Sequence, residues 1–102
     1  MRKAKVFMHG QLAGILVEVE PGSNYRFEYQ EGYRGEPISL CLPIQQGAYE
    51  FDGFPPFFDG LLPEGLLLEA LLRRQKIDRS DYFTQLLTVG QDLVGAVTVG
   101  EA

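Results

Sequence analysis

The stretch LAGILVEVEPGSNYRFEY, residues 12–29, decides the fold of this chain. Residues 15–19 begin as an apolar run and then alternate apolar with charged side chains. Residues 25–29 alternate aromatic with charged side chains. Both patterns are typical of half-buried β-strands, because successive side chains of a strand point to opposite faces of the sheet. The intervening PGSN, residues 21–24, is a strong turn signal. The stretch therefore predicts two consecutive antiparallel strands.

The flanking segments extend this sheet in both directions. The run KVFM, residues 5–8, precedes the turn-like residues 9–11 and predicts a first strand, so that three strands form an antiparallel meander. Residues 38–42, ISLCL, alternate again and predict a further strand that stops at Pro43. Residues 44–53 are expected to form a loop with a short extended piece. Residues 95–99, GAVTV, predict a last strand that joins the sheet.

The middle of the second half is expected to be helical. A short helix should begin near the prolines of residues 54–62, since proline suits a first helical turn. A turn around residues 62–65 leads into a helix from Pro63 to about Gln75, and a third helix runs from Asp81 to about Thr88. Ser80 or Asp78 is the candidate cap of the third helix, and residue 90, a glycine, should end it.

This order of elements predicts an α+β fold, with a small antiparallel sheet packed against two or three short helices. Residues 1–102 are expected to form a single domain, because a chain of 102 residues buries one modest core. Cys41 is the lone cysteine, and its apolar neighbours favour a buried core position, with a reactive thiol as the alternative.

Composition argues against several classes of partner. The net charge is −5, which makes direct nucleic-acid binding a poor expectation because phosphate backbones repel an acidic domain. Apolar windows fall well short of the roughly 20 residues of a membrane span, and the basic amino terminus lacks the apolar core of a signal peptide. We therefore expect a cytoplasmic protein that contacts no membrane.

Catalytic motifs are not evident in the sequence. The single histidine, His9, falls in a predicted hairpin turn, where such a side chain is usually solvated rather than catalytic. Glu50, Asp52 and Asp59 could form a carboxylate pair of the kind that glycosidases use, although Asp59 before Gly60 is more simply a turn residue. We therefore expect no catalytic residues, no metal and no cofactor.

The predicted helix after Pro63 is more apolar than a small domain needs. Its apolar residues span about two-thirds of the helical wheel, whereas a stripe of about 100° suffices for packing on a sheet. These residues are Leu66, Leu67, Leu68, Ala70, Leu71 and Leu72. Two explanations remain open: part of this surface is exposed and covered by a partner, or the helix is central and wrapped by its neighbours.

A basic cluster follows at the end of this helix. It contains Arg73, Arg74, Lys76 and Arg79. Cations near a helix carboxyl end interact favourably with the helix dipole, which is the simplest explanation of the cluster. Phosphate binding is the alternative.

Three motifs together resemble a known family. They are PISLCLP at residues 37–43, FFDGLLPE at residues 57–64 and GQDLVGAV at residues 90–97. In order and spacing they are similar to the N-terminal subdomain of HipA-type serine/threonine kinases, the toxins of bacterial toxin–antitoxin systems. Each motif alone is weak, but the three in order, within strands followed by helices, are fairly specific.

The resemblance implies a partner. Because the chain ends at Ala102 just after the last motif, we expect it to be similar to the HipS antitoxins, the stand-alone form of this subdomain in three-component HipBST systems. The resemblance implies binding and neutralisation of a HipT-like kinase toxin, in a possible ternary complex with a HipB-like DNA-binding protein. An amino-terminal fragment of a full-length HipA-like kinase and a small carboxylate-dependent enzyme remain as alternatives.

We place the partner-binding site on the turn before the leucine-rich helix. Its six residues are Leu61, Leu62, Pro63, Glu64, Gly65 and Leu66. We expect this turn to project toward the active-site region of the kinase, with Leu62 and Leu66 as apolar anchors. Glu64 would pair with a basic residue of the nucleotide site. A purely structural, helix-breaking turn is the alternative.

Overall fold

The computed structural model describes residues 1–93 and 95–102 and shows one sheet with three helices. The strands are β1 (Arg2–Met8), β2 (Gln11–Glu20), β3 (Asn24–Tyr29), β4 (Tyr49–Phe51) and β5 (Val97–Glu101). The helices are α1 (Pro56–Asp59), α2 (Gly65–Gln75) and α3 (Tyr82–Val89). The strand order is β4-β3-β2-β1-β5, and every neighbouring pair is antiparallel. The predicted α+β class, the meander and the returning last strand are therefore confirmed.

The hairpin between β1 and β2 turns at His9 and Gly10. Both residues have positive φ, 51° and 80°. Tight two-residue turns with positive φ are favoured in hairpins, because the twist of their backbone matches the twist of the two strands. In β3, Tyr25, Phe27 and Tyr29 point to the buried face of the sheet while Arg26 and Glu28 point to solvent. The alternation in the sequence thus places one whole face of the meander in the core, as predicted.

The core lies between this face of the sheet and two of the helices. Phe58 of α1 and Phe83 and Leu86 of α3 are fully buried together with Leu16 and Phe27 of the sheet. The Phe27 and Phe58 ring centroids lie 5.9 Å apart. Burying each such side chain stabilises the fold by about 1.5–3 kcal/mol, so α1 and α3 are anchored mainly by hydrophobic contact.

The prediction of a strand over residues 38–42 is wrong. These residues form a tight turn, in which the Leu42 amide donates to the Ser39 carbonyl oxygen at 3.0 Å. The Tyr29 hydroxyl stabilises the turn, since it accepts from the Ile38 amide at 3.0 Å and donates to the Leu42 carbonyl. The alternating pattern arises because the two ends of the turn, Ile38 and Leu42, are buried while its middle faces solvent.

The position of the cysteine follows from this turn. Cys41 and Leu40 occupy its middle, and Cys41 is exposed. The prediction that Cys41 is a buried core residue is therefore wrong, because apolar neighbours in sequence do not face the core when the chain reverses at them.

The cap of α3 also differs from expectation. Asp81 is the capping residue, because its carboxylate accepts from the Thr84 amide at 3.2 Å. Asp78 instead accepts from the Ser80 amide at 2.9 Å within the preceding turn. The helix ends at Val89, as predicted to within one residue.

Gly90 follows α3 for a different reason from the one expected. Its φ of −57° lies outside the left-handed region that normally favours glycine after a helix. A Cβ at this position would lie 2.1 Å from the Val99 carbonyl oxygen, so glycine allows α3 to approach β5 closely. Here the Val99 amide donates to the Gly90 carbonyl oxygen at 2.9 Å, and Gln91 Nε2 donates to the Val99 carbonyl oxygen at 3.1 Å.

Candidate protein-binding surface

Helix α2 lies outside the core along its whole length. Of its residues, all of them among those described, none is buried. Leu66 is 88% exposed and Leu67 is 73% exposed, although leucine is one of the residues that proteins most often bury. Part of the apolar surface predicted from the sequence is therefore exposed, and the alternative of a central, wrapped helix is wrong.

The inner side of α2 is only partly covered. Leu68, Leu71 and Leu72 are half-buried, but the half-buried side chains that pack against the core include no α2 residue among those described. An open groove separates α2 from α3. It is lined by Pro63, Leu67, Ala70, Leu71, Arg74 and Gln75 on one side and by Thr88, Val89 and Asp92 on the other.

The turn before α2 is continuous with α1. The Leu61 and Leu62 amides donate to the carbonyl oxygens of Phe58 and Asp59 at 3.0 and 3.1 Å, which continues the α1 spiral by one turn. Gly65 then has a φ of +61°, in the left-handed region where a Cβ causes strain. This glycine allows the chain to reverse from the turn into the helix.

The structure divides the six predicted site residues into two sets. Leu61 and Leu62 are half-buried and pack against the core, and Pro63 is half-buried beside them. Glu64, Gly65 and Leu66 are exposed, so the turn presents a carboxylate and a leucine to solvent. Leu66 has the exposure expected of an apolar anchor, whereas part of the Leu62 side chain packs against the core and part remains accessible. Whether these residues contact a partner stays a prediction.

The basic cluster is also divided. Arg73 and Arg74 lie in the last turn of α2 and are exposed, which is the placement the helix dipole favours. Lys76 follows with a left-handed φ of 55° and ends the helix. Arg79 lies beyond the helix and pairs with Glu69, with 2.6 Å between Nη2 and Oε1. Arg79 therefore supports α2 through a side-chain contact rather than through the dipole.

A polar cluster anchors α3 to the sheet, and the sequence did not predict this cluster. Arg2 of β1 donates to both carboxylate oxygens of the buried Glu18 at 2.7 and 2.9 Å, and to Asp81 at 2.8 Å. Tyr25 donates to the same Glu18 at 3.1 Å. Hydrogen bonds from Arg2 lower the pKa of Glu18, against the opposing effect of burial. Residues 2, 18 and 81 are too distant in sequence for any local pattern to connect them.

The other candidate residues take ordinary positions. His9 lies in the hairpin turn, 64% exposed, with Nε2 at 3.7 Å from the Glu36 carboxylate. Glu50 pairs with Arg26 across the β3–β4 ladder at 3.4 Å. The described residues contain no group of three or more His, Cys, Asp or Glu side chains that could hold a metal ion. Within the same residues, no helix has the length and apolar character required to cross a membrane.

Comparisons with known proteins agree with one another. The family model described as the HipA N-terminal domain matches residues 4–100. A solved structure titled N-terminal domain of HipA toxin superimposes with a TM-score of 0.78 at 36% identity, covering 100% of this chain and 93% of that one. The match includes the third motif, of which Val94 lies outside the described residues.

Two curated relatives differ in length. An uncharacterized protein of Haemophilus influenzae is 40% identical over 101 residues, which cover 99% of this chain and 93% of that protein. The second relative, Y4dM of Sinorhizobium fredii, is named as a proposed kinase. It is 35% identical to this chain over 104 aligned residues. That match covers 92% of this chain but 25% of the relative, so the chain corresponds to about a quarter of that longer protein.

Proposed function

The chain belongs to the HipA N-terminal domain family, and we propose that it is an antitoxin that binds and neutralises a HipT-like serine/threonine kinase. It would act by binding, without catalysis of its own, in a three-component toxin–antitoxin system. The observation that carries the proposal is the exposure of α2, a leucine-rich helix with Leu66 88% and Leu67 73% exposed. Exposed apolar surface of this kind marks protein-interaction sites.

The two curated relatives support a docking role. In the Sinorhizobium relative, the part that resembles this chain is joined to about three times as much further chain, since it makes up 25% of the protein. A domain that is part of a larger protein needs a face that contacts the rest. In a separate protein the same face would be exposed and would require a partner. The Haemophilus relative, 93% of which is covered, is an example of a short member.

The turn before α2 would make the central contact. Leu66 would insert into an apolar pocket of the kinase, and Leu62 would extend this contact with the part of its side chain that the core leaves free. Glu64 has an extended backbone and its side chain makes no hydrogen bond that caps α2, so its carboxylate would be available to a basic residue of a nucleotide site. Occupation of that region would prevent the kinase from phosphorylating its target.

The decisive experiment replaces Leu66 by Asp and measures the affinity for a HipT-like kinase and the rescue of cell growth. An apolar anchor lost from the centre of an interface typically costs about 2 kcal/mol or more, so affinity should fall at least about 30-fold. Leu40→Asp is the matched control, because Leu40 is 97% exposed but lies outside α2, in the turn between β3 and β4. Neutralisation by a folded Leu66→Asp protein equal to that of the control would contradict the proposal.

A second candidate function is supported by one observation, the length of the Sinorhizobium relative. The chain could be the amino-terminal part of a longer HipA-like kinase, because the match covers 25% of that relative. Sequencing the gene beyond the codon for Ala102 separates the two: a stop codon supports the antitoxin, and a kinase reading frame supports the longer protein. Co-purification with neighbouring gene products would test whether a HipB-like DNA-binding protein joins the complex.

A further inference from the structure

Two arginines continue the exposed leucine face of α2. Leu66 and Arg73 are seven residues apart, as are Leu67 and Arg74. Seven residues make nearly two helical turns, so each leucine and its arginine lie on the same side of the helix, about 10 Å apart along its axis. Ala70, also exposed, lies between them. This exposed face of α2, which extends to the α2 side of the groove, is therefore apolar at its amino end and cationic at its carboxyl end.

Neither arginine has a carboxylate partner among the described residues. The ion pairs of that part of the chain involve Arg2, His9, Arg26 and Arg79. Glu69 lies one helical turn before Arg73, in the position from which a carboxylate usually pairs with it. It is bound instead by Arg79 at 2.6 Å. Within the same residues, Asp92 lines the groove beside Arg74 but forms no ion pair with it.

We propose that this face, formed by Leu66, Leu67, Ala70, Arg73 and Arg74, docks onto a surface of the kinase that has two parts. An apolar pocket receives the leucines, and carboxylates of Asp or Glu side chains about 10 Å further along receive the arginines. The proposal rests on the function proposed above and adds the chemistry of the partner. It also fixes the direction in which α2 lies on the kinase.

Charge complementarity is the physical reason for choosing carboxylates. Arg73 and Arg74 place two positive charges at one end of the face, and a carboxylate that accepts paired hydrogen bonds is a strong partner for a guanidinium group. The domain as a whole carries a net charge of −5, so an acidic partner surface would be repelled everywhere except at a cationic face. The arginines would therefore orient the domain as it approaches the kinase.

The test compares two double charge reversals of equal size. Arg73→Glu with Arg74→Glu changes the docking face, and Lys3→Glu with Lys5→Glu changes two exposed lysines of β1 on the far face of the sheet. Both variants change the net charge by the same amount, so a general charge effect cancels. We expect the arginine variant to bind the kinase about 10- to 100-fold more weakly at low salt, and the lysine variant to change less than about 3-fold. Equal effects of the two variants would overturn the inference.

Further measurements separate the remaining outcomes. Arg73→Gln with Arg74→Gln adds no negative charge at the end of α2 and should also reduce affinity, with a shallower dependence on sodium chloride than the wild type. Inorganic phosphate should weaken binding no more than chloride at equal ionic strength, and a much stronger effect would mean that the arginines take phosphate. Wild-type protein that fails to bind the kinase contradicts the proposed function itself, whereas tight binding by both arginine variants contradicts only the inference.

Discussion

Helix α2 contains more leucines than helix α3, yet the two helices have opposite environments. α3 buries Phe83, Gln85 and Leu86, while α2 has five leucines and no buried residue among those described. The difference teaches that leucine content does not determine which helix enters the core. Burial of Phe83 and Leu86 anchors α3 in the core, and long-range hydrogen bonds to the sheet add to this attachment.

The attachments of the two helices differ in range. Arg2 of β1 links α3 to the sheet through Asp81, and the Gly90 carbonyl accepts from Val99 of β5. α2 is supported by contacts with the chain that follows it, from Ile77 to the Leu72 carbonyl and from Arg79 to Glu69. α3 is therefore part of the cooperative core, and α2 is presented on its surface.

The largest expected effect is on the core side of this comparison. Phe83→Ala should lower the free energy of unfolding by about 3–5 kcal/mol, because it removes a fully buried ring and leaves a cavity. Leu71→Ala in α2 should cost less than about 1.5 kcal/mol, since Leu71 is half-buried and does not belong to the side chains packed on the core. Urea unfolding measures both. Equal losses would show that α2 is as much a part of the core as α3.

A smaller effect should appear when the polar cluster around Arg2 is weakened. Glu18→Gln should lower the free energy of unfolding at pH 7 by about 1–2 kcal/mol, because it weakens hydrogen bonds between charged groups. The pKa of Glu18 is lowered in the folded state from its ordinary value of 4.5, primarily by Arg2, so this stabilisation is present above pH 4.5 and is lost as pH falls through the folded pKa.

Urea unfolding across pH tests this sign. The difference between wild type and Glu18→Gln should shrink as the pH falls from 7 toward about 3. A difference that stays constant or grows in acid would contradict the role of the carboxylate charge.

The smallest effect on folding is expected in α2. Leu66→Lys with Leu67→Lys should change the free energy of unfolding by less than about 0.5 kcal/mol, because both side chains are exposed. The same change should reduce the binding of a hydrophobic dye, which depends on exposed apolar surface. Strong destabilisation, or dye binding that is unchanged, would contradict the exposed position of α2.

Local patterns were sufficient to predict most of the fold. The meander follows from alternation in residues 15–29, because one face of a sheet is buried and the other is not. The helix after Pro63 and its excess of apolar surface follow from spacing. The short strand Tyr49–Phe51 was expected only as an extended piece, since three residues are too few for a periodic signal.

The features that were not predicted from the sequence depend on contacts between residues far apart in the chain. Cys41 was misplaced because Tyr29, 12 positions earlier, stabilises the turn that exposes it. Asp81 was not identified as the cap because three candidate residues lie within four positions, and its contact with Arg2 could not be foreseen. For the candidate site, the sequence indicated the leucine surface. The exposure of Leu66, and the lack of an ion pair for Arg73 and Arg74 within the described part of the chain, became evident only in three dimensions.

The contacts of Val99 have a consequence for assembly. A sheet with a free edge can accept a strand from another molecule, which leads to strand exchange and aggregation. Here the outward amide and carbonyl of Val99 are already bonded to Gly90 and Gln91, and the opposite edge strand, β4, is three residues long. Strand addition is thereby disfavoured at both edges. The apolar surface that this domain exposes to water is therefore formed by the side chains of α2 rather than by an open sheet edge.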